Sequence, residues 1–174
     1  VPTGASALPA KASYKYGATV TVARAASAPG YTFSGWSRTG TFDMPAENVE
    51  ITGSFAANEN TGYKVKHYKE TLAGTYELAD TDELTATTDT PVVAAANSYT
   101  GFTYDETVEG TVTSGTVTGD GNLVLKLYYT RNSYAVTYTY TGTVPTGASA
   151  LPVAASYKYE ELVTVAQAAS APGY

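Results

Sequence analysis

The sequence predicts an α+β fold made of small, strand-rich modules, each a mixed β-sheet with one short helix. Composition points to strands first: of 174 residues, 29 are Thr, 27 are Ala and 16 are Tyr, and only 15% are charged. Thr and Tyr fit the pleated, half-buried surface of a strand, whereas long helix formers are scarce. Several segments also alternate apolar and polar residues, as expected where successive side chains point to opposite faces of a sheet.

The clearest predicted strand covers residues 133–141, in which tyrosines and Val136 occupy every second position. The Asp120-Gly121 pair predicts the tight turn of a hairpin, because both residues tolerate the left-handed conformation that two-residue turns require. The arms of that hairpin would be residues 115–118 and 122–129. The other predicted strands are residues 49–55, 63–68, 75–78, 156–159 and 162–166.

Short helices are predicted at two places. Pro91 suits the first turn of a helix over residues 92–97, with Asp89 or Thr90 as its N-cap. The alanine-rich residues 166–171 would form a helical turn that ends before the next proline. A small mixed sheet with one helix per module corresponds to the β-grasp, or ubiquitin-like, arrangement.

A long internal duplication organises the chain. Residues 1–31 return as residues 144–174, with 25 of 31 positions identical. The offset of 143 residues is the length of two small domains, so the chain samples a tandem array. The predicted division is a first module at residues 1–57 that lacks its first strand, a linker at 58–62, a second module at 63–131, and the first part of the next module at 132–174.

Composition argues against several classes of function. Without cysteine, the fold cannot use disulfides or a cysteine-based zinc site. A net charge of −6 with 10 scattered Lys and Arg residues argues against nucleic-acid binding, which needs a clustered basic face. No apolar run approaches the roughly 18 residues of a membrane-spanning helix.

Side chains suited to catalysis or metal binding are few, and we predict no enzyme, no cofactor and no metal. His67 is the only histidine, and its place between two lysines predicts a surface or ladder residue of a strand rather than a member of a catalytic triad. The acidic residues Asp80, Asp82 and Asp89 are weak calcium candidates, because their spacing does not match an EF-hand loop. Trp36 fits a small core better than a sugar-stacking platform.

Two resemblances to known families cover nearly the whole chain. The first rests on the motif GYTFSGW at residues 30–36 and the strand VEITGSF, which resemble the Listeria–Bacteroides repeat, also called the internalin B-repeat. The structural motif residues of that repeat are here Gly30, Tyr31, Phe33, Gly35 and Trp36. The second rests on YKVKHY, YTGFTYDE and LVLKLYY, which resemble the mucin-binding-protein (MucBP) type of repeat. Neither family has a catalytic set to transfer.

These resemblances imply tandem β-grasp modules in a bacterial surface protein of Gram-positive type, anchored to the cell wall through other parts of its parent. The expected function is a structural stalk or spacer of a large surface adhesin, without catalytic activity. The alternative is that the modules themselves bind mucin glycans or host surface proteins. No membrane insertion and no nucleic-acid partner are expected.

The expected partners are neighbouring repeats of the same protein. They include head-to-tail strand exchange, in which residues 133–141 of one molecule complete residues 1–57 of the next. The least disfavoured pairing for a covalent isopeptide cross-link joins Lys126 with Asn97 or Asn122.

Overall fold

The computed structural model describes residues 1–173 and shows an all-β protein. Among these residues no helix occurs, so the expected α+β class, with one short helix per module, is wrong. The strands are β1 Thr19–Thr21, β2 Tyr31–Phe33, β3 Thr41–Asp43, β4 Phe55–Ala57, β5 Thr61–Glu70, β6 Tyr76–Ala86, β7 Pro91–Val93, β8 Phe102–Tyr104, β9 Ser114–Thr116, β10 Val124–Arg131, β11 Ser133–Val136 and β12 Ala155–Lys158.

The segment expected to form a helix at residues 92–97 begins as a strand instead. β7 pairs antiparallel with β9, and Val92 lies opposite Gly115. The pairing continues past the strand end, where the Ala94 N–H donates to the Thr113 carbonyl over 2.8 Å. Two β-branched residues paired with a distant segment thus outweigh the local helix-start signal.

The alanine-rich residues 166–171 are irregular as well. The backbone N–H of Ala166 donates to the Tyr138 hydroxyl over 2.9 Å, and that of Ser170 donates to the Ser149 hydroxyl over 3.1 Å. A helix this short bears the full cost of nucleation for few internal hydrogen bonds. The tertiary hydrogen bonds therefore decide the conformation.

A turn does form at Asp120-Gly121, where Gly121 has a φ of 72° and its N–H donates to the Thr118 carbonyl. The strands on either side of this turn do not pair with each other. β9 pairs with β7, whereas β10 belongs to a four-stranded sheet of order β6-β5-β10-β8. The predicted hairpin is therefore wrong, although its turn is confirmed.

Two central strands of that sheet run parallel. The contacts between β5 and β10 advance in the same direction along both strands, from Lys64 with Leu123 to Glu70 with Arg131. β8 pairs antiparallel with the far end of β10. A parallel pair needs a long crossover connection, which here contains β6 to β9.

Alternate residues of β5 and β10 form most of the buried core. This period of two follows from the pleat, which sends every second side chain inward. The fully buried side chains are Val65, His67, Val117, Leu125, Leu127 and Tyr129. By contrast, residues 1–57 contribute two buried apolar side chains, Val20 and Ala28. The module at residues 1–57 therefore has a small buried core.

The chain divides into two compact units. Unit 1 contains Val1–Val65, Asp82–Ala94 and Val112–Leu125, and unit 2 contains Lys66–Thr81, Ala95–Thr111 and the chain from Lys126 onward. In unit 1, β1 pairs with β3 and β2 pairs with β4. In unit 2, β11 pairs with β12.

The two copies of the duplicated sequence differ in secondary structure. Ala155–Lys158 forms β12 against β11, whereas the equivalent residues 12–15 of the first copy are irregular. Conversely, Thr19–Thr21 forms β1 against β3, whereas the equivalent residues 162–164 are not a strand. Each of the two segments forms a strand in the copy where it pairs with a second strand, β11 for residues 155–158 and β3 for residues 19–21.

Candidate functional site at the module joints

Two short connections join the strands β4 and β11, which belong to the modules that contain the repeat copies, to the central sheet. β4 ends at Ala57 and β5 begins at Thr61, whereas Asn132 alone separates β10 from β11. Hydrogen bonds from neighbouring segments surround each connection. The first joint consists of Gly30, Tyr31, Thr88, Asp89 and Gly119, and the second joint consists of Glu70, Arg131, Lys158, Tyr159 and Glu160.

In unit 1, the first joint centres on the carbonyl of Gly30. This carbonyl accepts hydrogen bonds from the Asn58 N–H over 2.9 Å and from the Thr88 hydroxyl over 2.8 Å. The Thr88 hydroxyl also lies 2.6 Å from the hydroxyl of Thr61, and both residues are buried. Because the Thr88 proton is directed at Gly30, Thr61 must be the donor in this second pair.

Two backbone segments approach closely at the first joint. Gly30 has a φ of 73°, and a Cβ added there would overlap both the Cα of Gly119 and the side chain of Thr88. A Cβ on Gly119 would in turn overlap the carbonyl of Pro29. The contact is therefore possible only with glycine on both sides.

Tyr31 and Asp89 complete the first joint. The Tyr31 hydroxyl donates to the Asp89 carboxylate, and this hydrogen bond raises the pKa of Tyr31. Asp89 has a φ of 61° and its N–H donates to the Val117 carbonyl over 2.8 Å. The backbone hydrogen bond of Asp89 therefore fixes the position of the residue whose carboxylate accepts the Tyr31 hydroxyl.

In unit 2, the second joint centres on Arg131, whose side chain is 12% exposed. Its Nε donates to the Glu70 carbonyl over 2.8 Å, and its Nη1 donates to the Tyr159 carbonyl and to the Glu160 carboxylate, over 2.6 and 2.8 Å. A guanidinium suits this role because it presents several donors in a rigid fork. Arg131 thereby bonds the end of β5 to the turn at residues 158–161 of the second repeat copy.

At the second joint, Glu70 carries the negative charge that faces the positive charges of Arg131 and Lys158. Its carboxylate accepts hydrogen bonds from the backbone N–H of Arg131 and from the ammonium of Lys158. Burial raises the pKa of Glu70, but the hydrogen bonds and charges of Lys158 and Arg131 outweigh burial and hold the pKa below its usual range. The carboxylate is therefore ionised at neutral pH.

The connecting residue Asn132 is bonded through both backbone groups. Its N–H donates to the Gly101 carbonyl over 2.9 Å, and its carbonyl accepts the Tyr159 N–H over 2.8 Å. The Tyr159 ring meets Phe102 edge to face, with ring centroids 5.8 Å apart, and lies where a Cβ of Gly101 would be. This connection leaves little room for motion.

The single histidine lies in a paired strand, β5, and is buried, so of the two predicted positions, surface and ladder, the surface one is wrong. His67 is 0% exposed, and its Nδ1 lies 2.8 Å from the Tyr129 hydroxyl oxygen. Its Nε2 lies 3.3 Å from the side-chain amide of Asn97, whose backbone N–H donates to the same Tyr129 hydroxyl over 2.8 Å. The alternation of β5 sends Lys64 and Lys66 to one face and His67 to the other.

The aromatic motif residues of the first copy cluster together. The Phe33 ring centroid lies 4.9 Å from that of Trp36 and 5.0 Å from that of Phe55. Trp36 is half-buried, and its indole N–H donates to the Arg24 carbonyl over 2.9 Å. A shallow groove of about 470 Å³ beside the indole is lined by Ser34, Gly35, Ser37, Thr52, Gly53 and Ser54.

The weak calcium candidates take part in other contacts. Asp80 accepts the Tyr99 hydroxyl over 2.7 Å, and Asp89 accepts that of Tyr31. Burial, with the hydrogen bond to Asp80, raises the pKa of Tyr99 to about 12. Asp82 follows on the same strand, β6. Across residues 1–173, no group of three or more His, Cys, Asp or Glu side chains could hold a metal ion.

The joint residues Glu70, Thr88 and Arg131 did not stand out in the sequence, because their partners are distant along the chain. One signal was present. Glu160 and Glu161 stand where the first copy has Gly17 and Ala18, within two nearly identical sequences. Paired changes at adjacent positions mark a place where the surroundings of the two copies differ.

In a comparison with known protein families, one segment of the chain matches a family. Residues 2–59 match the sequence model of the divergent InlB B-repeat domain, a family found in bacterial surface proteins. No curated protein and no solved structure matched the chain. No helix long and apolar enough to cross a membrane occurs in the part of the chain that the structure describes. Residues 2–59 are therefore similar to the divergent InlB B-repeat domain, a repeat module of bacterial surface proteins.

Proposed function

We propose that this chain is a non-catalytic spacer of a large, cell-wall-anchored surface adhesin, in which InlB-like repeats alternate with MucBP-like modules. The observation that supports a spacer is the shortness of both connections, one of them a single residue, Asn132. Flexible linkers uncouple neighbouring domains, whereas short and hydrogen-bonded ones restrict their motion. A stalk that projects a distal domain needs this restriction.

The absence of catalysis is part of the same proposal. The one histidine, His67, is enclosed in the core and bonded to Tyr129 and Asn97 rather than directed at a pocket. A general base must reach the proton that it abstracts from a bound substrate. His67 has no such access in its present position.

The spacer function is tested by the rotational motion of the second repeat copy. ¹⁵N relaxation of the intact chain should give residues 133–136 and 155–158 the same correlation time as β5 and β10. The matched control carries a Gly-Ser linker of eight residues after Asn132, which should shorten the correlation time of the repeat copy alone. Independent tumbling in the unmodified chain would contradict a spacer role.

The alternative function is binding of mucin glycans or host surface proteins by the modules themselves. The groove beside Trp36 supports it, because an aromatic side chain next to several hydroxyl groups suits a sugar ring. A glycan and mucin binding screen of the intact chain tests it, with Trp36→Ala as the variant and Tyr16→Phe, far from the groove in sequence, as the control. Equal binding by all three proteins would exclude this groove.

We also infer that neighbouring copies are partners for each other. β11 pairs with residues 155–158. In the first copy, Tyr14 of the equivalent residues 12–15 is 46% exposed, and the adjacent Tyr16 is 80% exposed. A strand like β11 from another molecule has the chemistry to pair there. Such a contact is heterologous and would build a head-to-tail chain rather than a closed dimer.

A further inference from the structure

The two repeat copies share one β-turn with two different sequences. In the first copy the Ala18 N–H donates to the Lys15 carbonyl over 3.0 Å, and in the second the Glu161 N–H donates to the Lys158 carbonyl over 2.9 Å. The third residue of each turn is left-handed, with a φ of 73° at Gly17 and 65° at Glu160. The backbone is therefore the same, and the side chains differ.

Glutamate is an unusual residue for this conformation. A turn with a positive φ at its third residue favours glycine, because a Cβ is strained there. Within residues 1–173, Asp89 and Glu160 are the two residues other than glycine with a positive φ. Both lie at joints and both have a carboxylate bonded to a partner from another segment. The second copy has Glu160 where the first has Gly17. The strain of a left-handed glutamate therefore calls for a stabilising contact of its side chain.

Arg131 supplies that contact. Its Nη1 lies 2.8 Å from the Glu160 carboxylate, and the guanidinium is held in place by the carbonyls of Glu70 and Tyr159. Because Arg131 is already ordered by these bonds, little further conformational entropy is lost in the ion pair. Glu160 itself is 57% exposed, so the gain is modest.

The neighbouring change acts in the same turn. The Glu161 carboxylate accepts the backbone N–H of Lys158 over 2.7 Å, and the Lys158 ammonium pairs with Glu70. In the first copy, Gly17 and Ala18 bring no carboxylate, and their backbone groups bond to Met44 instead. Both substitutions therefore add contacts that serve the second joint.

We propose that the turn at residues 158–161 is a specificity element, by which this copy of the repeat fits a preceding module that ends in an arginine placed as Arg131 is. The Gly17-Ala18 turn of the first copy has no carboxylate and therefore lacks this requirement. The order of modules is then encoded partly in two residues of each repeat. This inference concerns the choice of neighbour and goes beyond the spacer function.

The test is a double-mutant cycle read by amide hydrogen exchange. The variant Glu160→Gly/Glu161→Ala gives the second turn the residues of the first. At low salt it should speed exchange of the Tyr159 and Asn132 amides several-fold, because the ion pair between Glu160 and Arg131 is lost. In an Arg131→Gln background the same double substitution should have a smaller effect, because only the contact of Glu161 with the Lys158 N–H is then lost. Unchanged or slower exchange, or an equal effect in both backgrounds, would overturn the proposal.

The first copy provides the matched control. Gly17→Glu/Ala18→Glu places both carboxylates in the same backbone turn without an arginine beside it, so the left-handed strain is left uncompensated. Exchange of the Gly17 amide, which donates to the Met44 carbonyl, should therefore accelerate. If these glutamates protect the first turn, they act within the turn itself and the proposal fails. The spacer function would be untouched, since its test uses the unmodified chain.

Discussion

The hydroxyl of Tyr129 contacts two polar groups at once, the buried ring of His67 and the part-buried backbone N–H of Asn97. It accepts the backbone N–H of Asn97 and lies against Nδ1 of His67, both over 2.8 Å. The Tyr99 ring packs edge to face on Tyr129, with centroids 4.8 Å apart. Loss of a partner inside a core leaves a polar group without its hydrogen bond, which costs more than the bond itself contributes. One oxygen atom therefore orders two strands and a loop.

Tyr129→Phe should lower the free energy of unfolding by about 1–3 kcal/mol, because the Asn97 N–H and His67 both lose a partner. Urea denaturation followed by tyrosine fluorescence measures this change. The control is Tyr16→Phe, which removes the same hydroxyl from a ring that is 80% exposed and should change stability by less than about 0.5 kcal/mol. Equal stabilities of the two variants would show that the buried network contributes nothing.

The close approach at Gly30 gives a second test at single residues. Gly30 and Gly40 have nearly the same φ, 73° and 71°, but a Cβ on Gly40 would meet no atom within 4 Å. Both alanine variants bear the left-handed strain, and Gly30→Ala must also displace the Gly119 backbone. Gly30→Ala should therefore cost about 1–3 kcal/mol more than Gly40→Ala in thermal or urea unfolding. Similar losses of unfolding free energy in the two variants would mean that the Gly119 backbone can move away from Gly30 without loss of stability.

At the scale of single elements, pairing rather than sequence decides what is a strand. The residues Ala-Ser-Tyr-Lys form β12 in one copy and an irregular segment in the other. A strand satisfies its backbone groups through a neighbour, so its existence depends on a segment far away in the chain. The joints depend on distant partners in the same way.

The second joint should weaken in acid. The pKa of Glu70 is lower in the folded chain than the value of about 4.3 for an unfolded glutamate, so the unfolded state binds a proton more readily. The stabilisation is therefore complete above that pH and is lost as the pH falls through the folded-state pKa. Urea denaturation from pH 6 to pH 3 measures this dependence.

Glu70→Gln provides the comparison for the acid experiment. The stability difference between the unmodified chain and this variant should be largest near pH 6 and should shrink towards pH 3. The exposed Glu47→Gln variant should show no such convergence. A difference for Glu70→Gln that is independent of pH would rule out its ion pairs as the cause.

At the scale of the whole molecule, the two repeat copies expose complementary surfaces. The first copy has Tyr14 and Tyr16 exposed, and the second has Leu162 and Val165 exposed by 88% and 75%. In the first copy, the residue equivalent to Leu162 is Thr19. Thr19 lies in β1, where it pairs with Asp43 of β3. Each copy thus presents apolar or aromatic side chains where the other has a paired strand.

If neighbouring molecules pair through these surfaces, the apparent mass should increase with protein concentration in light scattering coupled to size exclusion. Val136→Pro removes a backbone donor from β11 and should reduce the association. A proline at Ala10, in an irregular segment, is the matched control and should leave the association unchanged. A monomer at every concentration, with residues 1–31 resistant to proteolysis, would contradict head-to-tail assembly.

The sequence by itself determined the duplication, its period, the turn at Asp120-Gly121 and the InlB-like character of residues 2–59, because these are local or repeated patterns. It also placed the two central strands of the four-stranded sheet, β5 from the alternation of residues 63–68 and β10 from the nearly continuous apolar and aromatic run of residues 122–129. It failed for residues 92–97 and 166–171, where local helix signals were weaker than distant hydrogen bonds.

Tertiary structure alone decided which of two nearly identical segments becomes a strand, that His67 is inside, and that Arg131 meets Glu70 and Glu160. The physical reason is the same in each case. A hydrogen bond between strands, a buried side chain and an ion pair each need a partner that is remote along the chain, and a local pattern does not contain that partner.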